Sequence, residues 1–143
     1  MTGKIKAVHY LNQFFGGIGG EDKADTKPQV VEKAVGPGLA LSASAEIAAT
    51  VICGDNYFSE HTDEAAAQIL EYIKAYAPDI VLAGPAFNAG RYGVACGEIC
   101  KRVVSELKIP AVTAMYEENP GVGLYKSEVI IVKAGSTAHT MRD

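Results

Sequence analysis

Four apolar runs punctuate this chain, and each breaks off into a loop of small and polar residues. Ala7 to Leu11 runs into Asn12-Gln13-Phe14-Phe15-Gly16-Gly17, and Ala49 to Cys53 into Gly54-Asp55-Asn56-Tyr57. Ile80 to Ala83 runs into Gly84-Pro85-Ala86-Phe87-Asn88-Ala89-Gly90-Arg91-Tyr92, and Ala111 to Met115 into Tyr116-Glu117-Glu118-Asn119-Pro120-Gly121. If the runs are neighbouring parallel strands, all four loops gather along one edge of the sheet. That is the edge at which open α/β folds bind ligands.

Strands are expected at Ile5 to Leu11, Ile47 to Cys53, Asp79 to Ala83, Pro110 to Met115 and Glu128 to Lys133. Thr62, followed by Asp63 and Glu64, reads as a capping hydroxyl with carboxylates at the positive end of a helix dipole. Ala66, Ile69, Leu70, Ile73 and Tyr76 follow at helical spacing until Pro78 ends the run. A second long helix is expected from Gly90 to Lys108, and short helical pieces from Pro37-Gly38 to Ser44 and from Pro120 to Lys126. Strands alternating with helices of this length are the signature of βαβ units. The continuous apolar runs Ile80-Val81-Leu82-Ala83 and Val129-Ile130-Ile131-Val132 are those of strands covered on both faces. The pattern predicts a three-layer, doubly wound α/β fold with a mostly parallel five-stranded sheet, Rossmann-like, in the flavodoxin-like order 2-1-3-4-5. The connection from Phe14 to Val35 is long for a compact domain, and loops of that length are usually functional.

At 143 residues the chain fits one domain, able to bury roughly 70% of the surface its unfolded form would expose. The net charge of −4 and the scattering of its 13 basic residues argue against nucleic acid as a partner. No stretch approaches the roughly 20 apolar residues that span a bilayer, and Lys4 leads almost directly into a strand without a signal-peptide core. Three cysteines without framework spacing suit a reducing compartment, the cytoplasm. Ser136 to Asp143 looks like a helix just starting, so residues 1–143 read as one α/β domain, the amino-terminal fragment of a longer chain.

Cys96 and Cys100 stand at i, i+4 but share a stripe with Ile99, Val103, Val104 and Leu107, which makes them small core hydrophobes. Cys53 ends a strand beside Gly54-Asp55, where packing and reactivity are both open. His9 alternates within a strand as a hydrogen-bonded core residue, and His9, His61 and His139 lack metal-ligand spacing. The segment from Gly84 to Gly93 has the outline of a phosphate loop. It fails because five residues separate Gly84 from Gly90 and Arg91-Tyr92 stands where Lys-Ser/Thr is required. Gly16-Gly17-Ile18-Gly19-Gly20 likewise lacks the third glycine of a dinucleotide fingerprint. A carboxylate fits the helix start at Gly90 better, with Arg91 clamping it and Asn88 adding a hydrogen bond; equally, Arg91 is a surface charge and the glycines are turn formers. Glu117 and Glu118 offer an ammonium partner or a general base, or a solvated loop.

Several separate motifs then combine. Val8-His9-Tyr10-Leu11-Asn12-Gln13-Phe14-Phe15-Gly16-Gly17-Ile18-Gly19-Gly20-Glu21, Val35-Gly36-Pro37-Gly38, Cys53-Gly54-Asp55-Asn56-Tyr57-Phe58, the Ala83 to Gly93 segment and Met115 to Gly121 follow one another in order. Together they closely resemble the selenoprotein subunit of component B of glycine, sarcosine and betaine reductases, over essentially the whole chain. The resemblance implies a part in the reductive deamination of glycine-type substrates in anaerobic amino-acid fermentation. It implies a selenocysteine nucleophile in a carboxy-terminal part outside these residues, so neither the nucleophile nor any cofactor is assigned to this chain. It further implies carboxymethyl transfer to the small selenoprotein component A, release of acetyl phosphate by component C, and a pyruvoyl group on partner component B subunits in an oligomeric complex. The isolated chain is expected to be inactive in reduction. Within it, Gly90, Arg91 and Tyr92 are candidates for the carboxylate side of the substrate site, and Asn12, Asp55, Asn56, Asn88, Glu117 and Glu118 for its polar lining. Two other readings stand beside this one: a subunit-docking module using Phe14, Phe15 and Tyr57, and a free-standing flavodoxin-like domain binding some small anion without catalysis.

Overall fold

The computed structural model describes residues 5–135; the expected helix start at Ser136 to Asp143, with His139, lies outside them. Six strands form one sheet: β1 (Ile5–Leu11), β2 (Gln29–Val31), β3 (Ala45–Ile52), β4 (Ile80–Ala83), β5 (Ala111–Met115) and β6 (Ile130–Lys133). Their order is β2-β3-β1-β4-β5-β6. Every pair is parallel except β2 with β3. With β2 set aside, this is the expected 2-1-3-4-5 order, and the four polar loops do share one edge.

The expected count of five strands is corrected to six. The extra strand lies inside the long Phe14 to Val35 connection, where Val30-Val31 is too brief an apolar stretch to register as a strand. Its pairing with Thr50, Val51 and Ile52 makes it one, and the Thr50 hydroxyl pins the same segment by donating to the Lys33 carbonyl at 2.7 Å.

The helices are α1 (Gly38–Leu41), α2 (Asp55–Glu60), α3 (Thr62–Tyr76), α4 (Gly90–Arg102) and α5 (Pro120–Tyr125). A π-helical turn, Val103–Leu107, prolongs α4 until Lys108 turns left-handed at φ 59°. α2 replaces a stretch that reads as loop; six residues are too few to display a periodic stripe. The capping role expected of Thr62 is also corrected. Its hydroxyl donates backwards to the Phe58 carbonyl at 2.8 Å, so it joins α3 to the end of α2 rather than capping a free helix start. Packing explains why this costs little. Ile69 and Ile73 are wholly buried, each worth about 2 kcal/mol, against about 1 kcal/mol for a cap.

The steps from β3 to β4, β4 to β5 and β5 to β6 run the same way across the sheet, so right-handed crossovers put α3, α4 and α5 on one face. There Val8, Tyr10, Val51, Val81 and Ala83 meet Ile69, Ile73, Tyr92, Cys96 and Ile99 in the main core. The connection from β1 to β3 steps the other way and covers the opposite face over those two strands. Gly38 lies against the His9 ring, Gly16 against Ile52 and Gly36 against Leu11.

Gly54 closes the β3 edge. A Cβ there would stand 2.2 Å from the Ala24 carbonyl oxygen and 2.7 Å from the Thr26 nitrogen. The Gly54 amide also donates to the Thr26 carbonyl at 2.8 Å. Gly54→Ala therefore forces backbone from backbone and is expected to lower stability by about 2 kcal/mol or more. Urea unfolding checks this; a loss below about 0.5 kcal/mol would mean that the two segments do not touch.

Candidate functional site

Side chains at the end of β1 fasten the start of α2. The Asn12 amide donates to one Asp55 carboxylate oxygen at 2.9 Å, and its carbonyl accepts from the Phe15 backbone at 2.9 Å. Gln13 accepts from the Asp55 backbone N–H at 3.0 Å. Asp55 is only 7% exposed. Burial raises its carboxyl pKa, while the Asn12 hydrogen bond and the Arg91 charge pull the other way.

Beneath this junction, the second Asp55 oxygen and the hydroxyls of Tyr10 and Tyr92 are buried without a hydrogen-bond partner among the protein atoms. The two tyrosine rings stand 6.4 Å apart, and the Tyr92 hydroxyl lies beside the Asn12 backbone. An unpaired buried polar atom costs about 1–3 kcal/mol. Three of them gathered at the carboxyl edge mark a place where the fold retains polarity that packing alone would not keep.

Arg91, in the first turn of α4, forms the exposed half of the site. One guanidinium nitrogen meets both Glu21 carboxylate oxygens, at 2.5 and 3.0 Å, and another donates to the Asn56 carbonyl at 3.2 Å. The Asn56 amide in turn donates to Asp25. The Arg91 side chain remains 44% exposed, and a cavity of about 400 Å³ opens beside it, lined by Phe58, Thr62, Gly90, Val94, Glu98 and Tyr125. Glu98, at the far end, is committed: burial works to raise its pKa, but hydrogen bonds from Tyr125 and Arg102 outweigh burial and hold the carboxyl below its ordinary range.

Of the candidate residues, Asn12, Asp55, Asn56, Gly90, Arg91 and Tyr92 are thus assembled by direct contacts, chain neighbours or the shared core. The others stand apart. Asn88 is exposed and makes no hydrogen bond to Arg91. Glu117 pairs with Lys133 at 3.2 Å at the end of β6, and Glu118 is exposed. Neither glutamate is joined to Asp55 or Arg91 by a hydrogen bond or ion pair among the described residues.

Sequence reasoning passed over Glu21, Gln13 and Asn119. Asn119 is 2% exposed and caps α5 by accepting from the Gly121 N–H at 2.9 Å. Its amide donates to the Phe87 and Ala89 carbonyls, each at 3.0 Å, which fixes the approach to α4. Its place one residue before a proline, the signature of a cap followed by Pro at the first helical position, was the available signal.

The thiols are not built for attack. Burial pushes Cys53 and Cys100 up to about 12 and Cys96 well above its ordinary value. Only a thiolate is a competent nucleophile. Among the described residues there is no cluster of three metal-ligating side chains, and no helix is long and apolar enough to cross a membrane.

Residues 4–143 match the family glycine/sarcosine/betaine reductase selenoprotein B. The chain belongs to that family. It is 58% identical to the glycine reductase complex component B subunit gamma of Carboxydothermus hydrogenoformans, over 98% of this chain and 33% of that protein. It is 55% identical to the sarcosine reductase complex component B subunit beta of Peptoclostridium acidaminophilum, with the same coverage. The betaine reductase complex component B subunit beta of the same organism is 49% identical, over 96% of this chain and 32% of that protein. The chain therefore spans about one third of the length of the curated relatives it matches. No solved structure matches it.

In this member of the family His9 anchors the β4 loop, its Nε2–H donating to the Gly84 carbonyl at 2.6 Å. Burial lowers its pKa from 6.5 to about 4. The unfolded chain therefore takes up a proton below pH 6.5 that the folded chain refuses until about pH 4. Stability falls as pH drops through that window, by roughly 3 kcal/mol for the full shift. Chemical denaturation at pH 7 and pH 4 should show this loss, and His9→Gln should remove that part of the slope. An unchanged slope in the variant would show that His9 protonates freely in the fold.

Proposed function

We propose that this chain is the substrate-facing α/β domain of a component B subunit of a glycine, sarcosine or betaine reductase, and that Arg91 binds the substrate carboxylate. Glycine, sarcosine and betaine share that carboxylate and differ in methylation at nitrogen, so a domain common to the three kinds of subunit is suited to recognising the common group. The observation that carries the reading is the Arg91–Glu21 contact, in which the guanidinium already holds both oxygens of a carboxylate at the mouth of the site. Exposed ion pairs of this kind contribute about 1 kcal/mol or less. A substrate carboxylate can therefore take the place of Glu21 at little cost. Asp55 and Asn12 lie buried at the neighbouring junction of β1 and α2.

The inert thiols agree with bond-breaking chemistry carried elsewhere in the complex. In this reading a selenocysteine beyond these residues displaces the amine, and a pyruvoyl group on a partner subunit activates amino substrates. The carboxymethyl group then passes to the small selenoprotein component A, on the way to acetyl phosphate. Within such a complex, in the cytoplasm, Phe14 is the residue offered for docking: it is 63% exposed, with its ring edge-on to Phe15 at 5.1 Å. Phe15 is instead stacked on Tyr92 at 5.9 Å.

In a reconstituted complete enzyme, Arg91→Ala should raise KM tenfold or more, while Glu21→Gln should lower KM by up to about fivefold by freeing the guanidinium. Unchanged KM in Arg91→Ala would remove the carboxylate role. Separately, Phe14→Ala should weaken co-purification of the partner subunits with KM unchanged in whatever complex forms; undiminished co-purification would leave Phe14 without a docking role.

A further inference from the structure

Over β4, β5 and β6 the sheet has one face that the described residues do not cover. Register places Leu82, Val112 and Ile130 in line with His9, and Ala114 beside Val132. These residues therefore look away from α3, α4 and α5. Ile130 and Val132 are 62% and 51% exposed. A shallow apolar groove of about 200 Å³ runs between Leu41, Leu82, Pro85, Val112, Ala114 and Val132. No charged side chain lines it. Parallel strands are found almost only where both faces are covered.

Handedness indicates what covers it. The three crossovers that step from β3 towards β6 lie on the far face, and the one connection that steps back, from β1 to β3, lies on this one. A right-handed crossover from β6 back across the sheet to another parallel strand would lie on this face. Relatives in the family are about three times the length of this chain, which covers 33% of them. We propose that the face formed by Leu82, Val112, Ala114, Ile130 and Val132 is an intrachain interface. Its occupant is the carboxyl-terminal part of the full-length subunit, which lays an apolar helix stripe into the groove. The interface joins the domain bearing Arg91 to the rest of the subunit and does not depend on the carboxylate reading.

The test uses the full-length subunit purified without its partners, with p-benzoylphenylalanine placed in turn at Ile130, at Val132 and, as a control on the opposite helical layer, at exposed Glu71. Irradiation and peptide mapping should give intrachain cross-links from positions 130 and 132 to residues beyond 143, at least tenfold above the Glu71 control. Cross-links to a second copy of the chain would overturn the proposal. So would cross-links that form only when the partner subunits are added, or yields no higher than the control. Both probe positions are already half exposed or more, so the bulky residue leaves the domain core intact, and agreement between the two guards against a local artefact.

Discussion

The side chain of Asn119 holds the candidate site in shape. With one oxygen it starts α5, and with one amide nitrogen it grips two carbonyls of the loop that leads into α4. The β4 and β5 loops are long and glycine-bearing, and backbone bonds from Ala86 to Ala114 and from Tyr116 to Phe87 already join them. Asn119 makes them one unit, and because Arg91 is only two residues beyond Ala89, the direction of the guanidinium follows from that grip. A buried amide with all these bonds made is stable, whereas losing them would leave several backbone groups unpaired in the interior. The approach to Arg91 is thus fixed from the loop after the neighbouring strand as well as from its own helix.

A second layer of positioning comes from β1 and β3. Asn12 and Gln13 together take both the side chain and the backbone of Asp55, so the start of α2 is set by the strand beside it. The arrangement leaves a carboxylate oxygen and two tyrosine hydroxyls unpaired in the interior. A fold selected for stability alone would replace such groups with apolar ones of the same shape, which is often neutral or stabilising. Their presence at the carboxyl edge of β1 and β3, next to the exposed Arg91 pair, agrees with a site whose polarity serves binding.

Strand positions, the sheet order and the convergence of the loops were legible in the sequence because each rests on strong periodic signals. Ile80 to Ala83 and Ala111 to Met115 are bounded apolar runs, and α3 repeats its core residues at helical spacing. What escaped notice is short or relational. β2 is three residues long and exists because Thr50, Val51 and Ile52 offer it an edge. α2 spans six residues and is fixed by bonds to Ala24 and Gln13 from distant sequence. The pairing of Arg91 with Glu21 links positions 70 residues apart, and nothing in local composition announces it. Asn88 lies three residues before Arg91 and so suggests a shared site. The residue before it, Phe87, is left-handed at φ 50°, and Asn88 itself is exposed.

The two sides of the sheet explain each other. One face is closed by three helices and stores most of the apolar burial, so it supplies the rigidity that α4 and its arginine need. The other is closed only over β1 and β3, where His9 Nε2 and the Thr50 hydroxyl donate to backbone carbonyls, and is left open over β4, β5 and β6 by the described residues. Glycine-type substrates are very small, and a cleft that excludes water around so small a molecule needs walls from more than one direction. A single edge of loops supplies one wall. An element seated on the open face, reaching past Pro85 towards the β4 loop, would bring a second wall to the same edge on which Arg91 stands. In the proposed reading the open face and the half-exposed arginine therefore belong to the same edge of the domain, one offering a seat for a second wall and the other a group for the substrate carboxylate.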